Sequence, residues 1–212
     1  MASSFAEQIP CIVRLLQKLN PKTILDIGKG FGKYGFLAHE YIGIDNTNQL
    51  NPSKTMMQQS AVTIDAAEAD KDLMLPHLDQ IYSKVYFGDI TEIYPDLPTY
   101  DLVMMIDVIE HLDKQKAINL VKYFLSKNAV LIIATPIDFF QQHLYESEYE
   151  NHISHWKLKD FKALGFAESQ YLDGGAVYLV SNRKLEINNF GNSLIKKLKR
   201  IRRAIKNELK LR

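Results

Sequence analysis

Two patterns of apolar residues alternate along the chain, one typical of buried strands and the other of amphipathic helices. Continuous apolar runs predict strands at residues 23–27, 62–67, 84–88, 100–108 and 129–134. Apolar residues at three- and four-residue intervals predict helices at 5–19, 33–41, 73–82, 114–125 and 157–164. Strands that alternate with helices favour a doubly wound α/β fold with a mostly parallel sheet and right-handed crossovers.

The C-terminal part of the chain departs from this alternation. Two short strands are predicted at 169–172 and 176–180, and the Asp173-Gly174-Gly175 sequence between them indicates an antiparallel hairpin. Residues 190–212 have apolar positions at helical intervals with basic residues between them, which predicts an amphipathic helix. We therefore expect one domain at 1–189 and a basic helical tail at 190–212.

Composition supports a single globular domain with its own core. The chain has 212 residues, of which 46% are hydrophobic and 24% charged. Its one cysteine, Cys11, cannot form an internal disulfide, which favours a reducing compartment. No apolar run is long enough to span a bilayer, and the N-terminus lacks the features of a signal peptide. These features predict a cytoplasmic protein.

Charge is distributed unevenly. Nine Lys or Arg residues and one Glu give residues 190–212 a charge of +8, so residues 1–189 carry −7 within the net +1. Because the apolar seam of the tail is continuous, we favour an anionic membrane surface as its partner, with peripheral association at the inner membrane face. A partner protein or the acidic body remains an alternative, and nucleic acid is less favoured.

A glycine-rich segment between the first strand and the second helix carries the strongest functional signal. It reads Asp26-Ile-Gly-Lys-Gly-Phe-Gly-Lys-Tyr-Gly35 and lies where an open α/β sheet binds ligands. The same residues also match the dinucleotide fingerprint, and Lys29 and Lys33 would suit a pyrophosphate. Asp26 argues the other way, because its negative charge suits a cationic ligand.

Four segments together resemble the class I S-adenosylmethionine (SAM)-dependent methyltransferases, over about residues 20–182. They are Leu-Asp-Ile-Gly-Lys-Gly-Phe-Gly at 25–32, Phe-Gly-Asp at 87–89, Tyr-Asp-Leu-Val-Met-Met-Ile-Asp-Val-Ile-Glu-His-Leu at 100–112 and Val-Leu-Ile-Ile-Ala-Thr-Pro at 130–136. The resemblance implies a Rossmann-like fold, SAM as the methyl donor and S-adenosylhomocysteine (SAH) as its product. Lys29 is a departure, because the family often has a small residue or cysteine there.

The resemblance also implies roles for individual residues. Gly28, Gly30 and Gly32 would line the methionine part of SAM, and Asp26 would help to hold its amino group. Asp89 and Ile90 would flank the adenine, and Asp107 would complete the pocket. The family also has an acid at the end of the second strand, which accepts hydrogen bonds from both ribose hydroxyls.

Two acids compete for the ribose position. Asp45 follows Asp26 by nineteen residues, close to the usual interval, and ends the sequence Tyr-Ile-Gly-Ile-Asp. Glu68 ends Val-Thr-Ile-Asp-Ala-Ala-Glu and precedes Asp89 by twenty-one residues, enough for a short helix and a strand. We favour Glu68, because Asp45 would leave the apolar run at 62–67 without a place in the sheet.

Candidates for chemistry follow the fourth and fifth strands. His111 could act as a base or position the acceptor, or simply pack at the start of a helix. His143, His152, His155 and Trp156 lie in the loosest part of the chain. His152 and His155 could contribute a base or polar contacts and Trp156 could stack on a ring, or the segment could form a structural cap on the C-terminal helix. With one cysteine and no helical His pair, the sequence predicts no metal site.

Three functions remain open. The favoured one is a methyltransferase whose acceptor is a small molecule or a glycan precursor of the cell envelope. The others are an NAD(P)-binding oxidoreductase, which would use the overlapping glycine pattern, and a non-catalytic adaptor of the same fold, recruited through its basic tail.

Overall fold

Seven strands and six α-helices make up the part of the chain that the structure, a computed structural model, describes: residues 4–44, 51, 53–138, 151–187 and 190. The strands are β1 (Thr23–Ile27), β2 (Thr63–Glu68), β3 (Lys84–Phe87), β4 (Leu102–Ile106), β5 (Val130–Pro136), β6 (Phe166–Tyr171) and β7 (Gly175–Ser181). The helices are α1 (Ile9–Leu19), α2 (Lys33–Ala38), α3 (Met56–Gln59), α4 (Ile90–Ile93), α5 (Lys114–Ser126) and α6 (Leu158–Lys162).

The strands form one mixed sheet in the order β3-β2-β1-β4-β5-β7-β6. β1 to β5 are parallel, whereas β7 is antiparallel to both β5 and β6. This confirms the predicted doubly wound sheet and its C-terminal hairpin. The strand order reverses between β1 and β4, which places a crevice at the carboxyl ends of these two strands.

Hydrophobic residues cover both faces of the sheet. Within β1, Leu25 and Ile27 pack on the face that carries α5, whereas Ile24 packs on the face that carries α1. Within β4, Val103 and Met105 pack on the α5 face, whereas Leu102, Met104 and Ile106 pack on the α1 face. Because both faces are buried, the central strands are continuously apolar rather than alternating with polar residues.

The predicted helix at 73–82 is wrong. The structure has two 3₁₀ segments instead, Lys71–Leu73 and Pro76–Gln80. Pro76 lacks an N–H donor and holds Leu75 in an extended conformation (φ −91°, ψ 143°), which prevents a continuous α-helix.

Several boundaries also differ from the prediction. α2 ends at Ala38 and continues as one π-helical turn, His39–Gly43. β5 continues through Pro136, which pairs with Gly175 at the end of the antiparallel ladder. The loop predicted at 43–60 contains the short helix α3, which the side chains of Thr55 and Gln58 cap.

The first residue of the predicted tail contacts the folded domain, and the boundary between 189 and 190 stays a prediction. Phe190 is 8% exposed and belongs to the core on the α1 face of the sheet. The predicted helix at 190–212 otherwise lies outside the described residues. Within the residues that the structure describes, no helix is both long and apolar enough to cross a membrane.

Candidate active site

A cavity of about 430 Å³ opens at the carboxyl ends of β1 to β4. Its volume falls within the range of small-molecule sites. The sequence-predicted residues that line it are Asp26, Gly28, Gly30, Glu68, Asp89, Ile90, Asp107 and His111. Gly32 and His155 are not among its described lining residues.

The glycine turn after β1 forms one wall of the cavity. Gly28, Gly30 and Gly32 have φ values of 68°, 50° and 81°, a conformation that side chains disfavour. A Cβ atom on Gly28 would lie 2.5 Å from Val108 Cγ2, so the turn also packs against the end of β4. A Cβ on Gly32 would lie 2.8 Å from Leu78 Cδ2, which gives this glycine a packing role rather than a place in the cavity.

Asp26 lies under the glycine turn and is 2% exposed. The Tyr82 hydroxyl donates a hydrogen bond of 2.6 Å to its Oδ2. Burial raises the pKa of Asp26 from 3.8 to about 6, although the Tyr82 hydrogen bond opposes this rise. Sequence reasoning missed Tyr82, because nothing in its local pattern shows that it reaches β1.

Glu68 is the last residue of β2, the neighbour of β1 in the sheet. The Asp70 N–H donates to its Oε1 at 3.2 Å, and Lys29 Nζ lies 3.9 Å from its Oε2. Burial raises the pKa of Glu68, while the Asp70 N–H and Lys29 oppose the rise. The strand at Thr63–Glu68 agrees with the interval that favoured Glu68, whereas Asp45 lies outside the described residues.

Lys29 is 4% exposed, although it follows the first glycine of the turn. Its Nζ donates to the Leu73 carbonyl oxygen at 2.9 Å and pairs with Glu68. Burial lowers the pKa of Lys29, and the nearby carboxylate of Glu68 opposes the change. Lys33 Nζ donates to Ser4 Oγ at 2.9 Å and to Ser4 O at 3.2 Å. Both ammonium groups therefore have protein partners.

Asp89 and Ile90 follow β3. Asp89 caps α4, since its Oδ1 accepts hydrogen bonds of 2.8 Å from both the N–H and the hydroxyl of Thr91. Ile90 is 6% exposed and contributes an apolar surface to the cavity. This position suits Ile90 to contact a flat apolar ring, while the helix cap engages Oδ1 of Asp89.

Asp107 follows β4 in the left-handed conformation, with φ 54°. Such a backbone is costly for a residue other than glycine and is frequent at functional sites. Gln8 Nε2 donates to its Oδ1 at 3.2 Å, which ties α1 to the cavity. Burial raises the pKa of Asp107, and the Gln8 hydrogen bond opposes the rise.

Three further side chains meet beyond Asp107. Glu110, His111 and His152 each offer a ligand atom, and these atoms lie within 4.8 Å of one another. Glu110 is 2% exposed, and neither carboxylate oxygen meets hydrogen-bond geometry with a donor among the described residues. Burial, and then the charge of Asp107, raise the pKa of Glu110 well above its ordinary value, which Thr135 nearby only partly offsets.

Backbone hydrogen bonds join the segment at 151–156 to the 3₁₀ turn Ile109–His111. The N–H groups of Ile153 and Ser154 both donate to the Glu110 carbonyl oxygen at 2.9 Å. Ser154 Oγ donates to the Ile109 carbonyl oxygen at 3.0 Å. These contacts bring His152, forty-one residues after His111, into the cavity with it.

His155 and Trp156 contact the backbone and the core of the protein. His155 Nε2–H donates to the Ile137 carbonyl oxygen at 2.9 Å. Trp156 is 1% exposed and stacks on Phe161, with 5.1 Å between the ring centroids. Lys114 Nζ lies 3.5 Å from the centroid of the Trp156 ring. These positions favour a packing role for Trp156 and do not favour a catalytic role for His155. His143 lies outside the described residues.

No protein-family model matches the sequence, and no curated protein matches it. Solved structures do show similar folds. An O-methyltransferase family protein from Burkholderia thailandensis is 12% identical with a TM-score of 0.54, over 83% of this chain and 57% of the other. Monomeric WbdD is 17% identical with a TM-score of 0.58, over 89% of this chain and 44% of the other. The chain thus spans about half the length of these two proteins.

The N-terminal domain of EvdMO1, solved in the presence of SAH and D-fucose, is 11% identical with a TM-score of 0.57, over 86% of both chains. The chain has the Rossmann-like fold of the class I SAM-dependent methyltransferases.

Proposed function

We propose that the protein is a SAM-dependent methyltransferase. The observation that carries the proposal is the juxtaposition, in one cavity, of the glycine turn after β1 and the acids Asp26 and Glu68 near the ends of adjoining strands. The turn allows close approach of a ligand to the backbone. The two acids provide carboxylates for an amino group and for a pair of ribose hydroxyls.

The charges of the cavity favour SAM over a dinucleotide. SAM carries a cationic amino group and a sulfonium, whereas NAD(P) carries a pyrophosphate. Asp26, Glu68 and Asp107 are all buried or nearly so at the cavity wall. The ammonium group of Lys29 is directed to Leu73 and Glu68, which weakens its value as a phosphate ligand.

Methyl transfer requires positioning more than covalent help from the protein. When bound, SAM supplies a methyl group that its sulfonium activates. Asp26 would hold the amino group, Glu68 the ribose and Ile90 one face of the adenine. His111 Nδ1–H donates to the Asn151 carbonyl oxygen, which leaves Nε2 as the basic nitrogen that can take a proton from the acceptor.

We propose a small hydroxylated molecule, or a glycan precursor of the cell envelope, as the acceptor. The cavity extends past the glycine turn to His111, His152 and Ile153, which leaves room for an acceptor beside the cofactor. The structure of EvdMO1 in the presence of D-fucose supports a sugar hydroxyl as the first acceptor to test.

Calorimetry on the full-length protein tests the cofactor. We expect saturable binding of SAM and SAH and none of NAD(P). Gly30→Val should abolish SAM binding without unfolding the protein, because it adds a branched side chain at a cavity position with φ 50°. Binding of NAD(P) with no binding of SAM would instead support the oxidoreductase.

Turnover tests the enzyme against the adaptor. SAH formation should appear when SAM is mixed with a panel of free and nucleotide-linked sugars. Tight SAM binding with no SAH formed across sugars, lipid-linked glycans and small alcohols would favour the non-catalytic adaptor.

A further inference from the structure

Glu110, His111 and His152 form a compact group in the wall of the cavity, with ligand atoms no more than 4.8 Å apart. We propose that this group binds a divalent transition-metal ion, and we call it the metal triad. Two imidazoles and one carboxylate are a common set for catalytic zinc and for non-haem iron. Such sets hold the ion on one side and leave positions open for another ligand.

The distances are compatible with an ion. Ligand atoms at about 2.0–2.2 Å from a zinc ion lie roughly 3–4 Å from one another. The separations in the metal triad are at most 4.8 Å, so they need to shorten by no more than about 1 Å to reach the upper end of that range. Imidazole ligands favour zinc, iron or cobalt over magnesium and calcium, which prefer oxygen.

The buried carboxylate of Glu110 is the second and independent observation. Neither of its oxygens meets full hydrogen-bond geometry with a donor among the described residues, although the residue is 2% exposed and Thr135 lies nearby. An isolated buried carboxylate is costly, and such groups are usually paired or bound to a metal. A cation between Glu110 and the two imidazoles would satisfy this requirement.

The backbone around the metal triad orients its ligands. The Nδ1–H of His111 donates to the Asn151 carbonyl oxygen at 3.1 Å, which fixes the tautomer and the orientation of the ring. The Glu110 carbonyl oxygen accepts the N–H groups of Ile153 and Ser154, which hold His152 beside the turn. The ring centroids of His111 and His152 lie 4.9 Å apart in an edge-to-face arrangement.

The use of the ion rests on the proposed function, although its binding does not. A hydroxyl of the acceptor would occupy an open position on the ion, which lowers the pKa of that hydroxyl. Its proton leaves to solvent, and the oxygen forms a bond to the methyl carbon of SAM. The carbon–sulfur bond breaks with its electron pair remaining on sulfur, which gives SAH. His111 then serves as a ligand, and the ion replaces it in activating the acceptor.

Metal titration of the chelator-treated, full-length protein tests the site without SAM. We expect one equivalent of Zn²⁺ or Co²⁺ to bind saturably and to raise the melting temperature. Glu110→Gln and His152→Gln should each weaken metal binding by about a hundredfold or more. Loss of a residue that only hydrogen-bonds to a metal ligand already lowers metal affinity about 10–100-fold, and loss of a ligand itself should cost at least as much. His77→Gln is the matched control, because His77 is exposed and lies outside the metal triad.

Two results would overturn the proposal. One is the absence of saturable binding of Zn²⁺, Co²⁺, Mn²⁺ or Fe²⁺ by the wild-type protein. The other is binding that both triad variants retain at full strength. Glu110→Gln should fold, since it keeps the shape of the side chain and removes a buried unpaired carboxylate; should it fail, His152→Gln alone decides the matter.

A parallel titration with SAM in excess chelator separates this site from the proposed function. Metal binding without SAM binding would leave the metal triad in place and overturn the methyltransferase. SAM binding without metal binding would support the methyltransferase and overturn the metal triad.

Discussion

Replacement of Asp26 by Asn tests the buried acid beneath the glycine turn. Burial raises the pKa of Asp26 from 3.8 to about 6, so at intermediate pH the folded protein holds a proton that the unfolded chain releases. The stability that this carboxyl group contributes is fully present below about pH 3.8 and is lost as the pH rises through about 6. Asn keeps the shape and can accept the Tyr82 hydrogen bond, but it does not titrate.

The size of the effect follows from the two pKa values. A shift of about two units corresponds to about 3 kcal/mol at 1.36 kcal/mol per unit. Between about pH 4.5 and about pH 7.5 the integrated difference is about 2 kcal/mol. We therefore expect the free energy of unfolding of Asp26→Asn, relative to the wild type, to increase by about 2 kcal/mol across this range.

SAM should reverse the preference of Asp26 for its proton, because the cationic amino group favours the carboxylate. The wild-type affinity for SAM should fall as the pH drops below about 6, by up to about tenfold per pH unit. Asp26→Asn should bind SAM more weakly at neutral pH and show no such step near pH 6.

Urea unfolding and calorimetry at several pH values provide the two measurements. A stability difference between variant and wild type that stays constant with pH would show that Asp26 does not titrate near 6. Equal SAM affinity for the two proteins at neutral pH would show that the amino group does not bind Asp26, and the interpretation of the cavity would need revision.

Three further predictions concern the ribose acid, the core and the tail. Glu68→Ala should raise the SAM dissociation constant about 10–100-fold, because it removes charge-assisted hydrogen bonds of about 1.5–3 kcal/mol, whereas Asp45→Ala should raise it much less. Calorimetry that finds the reverse order would assign the ribose to Asp45. Trp156→Ala should lower the free energy of unfolding by about 3–5 kcal/mol, because Trp156 is 1% exposed and stacks on Phe161. A loss below about 1 kcal/mol in urea titration would contradict a core role. Deletion of 191–212, which keeps the buried Phe190, should leave SAM affinity unchanged and abolish sedimentation with anionic liposomes; equal liposome binding by both proteins would remove the membrane interpretation.

The extent to which the sequence predicted the site differs from residue to residue. Glu68 could be favoured from the sequence because an apolar run preceded it and a plausible interval separated it from Asp89. For His155 and Trp156 the sequence left a role at the acceptor and a role in a structural cap both open, because hydrophobicity alone does not show which side of a loop a residue occupies. In the structure, His155 donates a hydrogen bond to the Ile137 carbonyl oxygen, and Trp156 stacks on the ring of Phe161.

The sequence by itself determined the local features of this protein. The strands, the glycine turn and the hairpin follow from the period of apolar residues and from the backbone freedom of glycine, which act over a few neighbours. Only the tertiary structure decided which distant side chains meet. Tyr82 reaches Asp26 across fifty-six residues, and His152 reaches Glu110 across forty-two. Such contacts depend on strand order and on hydrogen bonds between loops, and neither leaves a periodic trace in the chain.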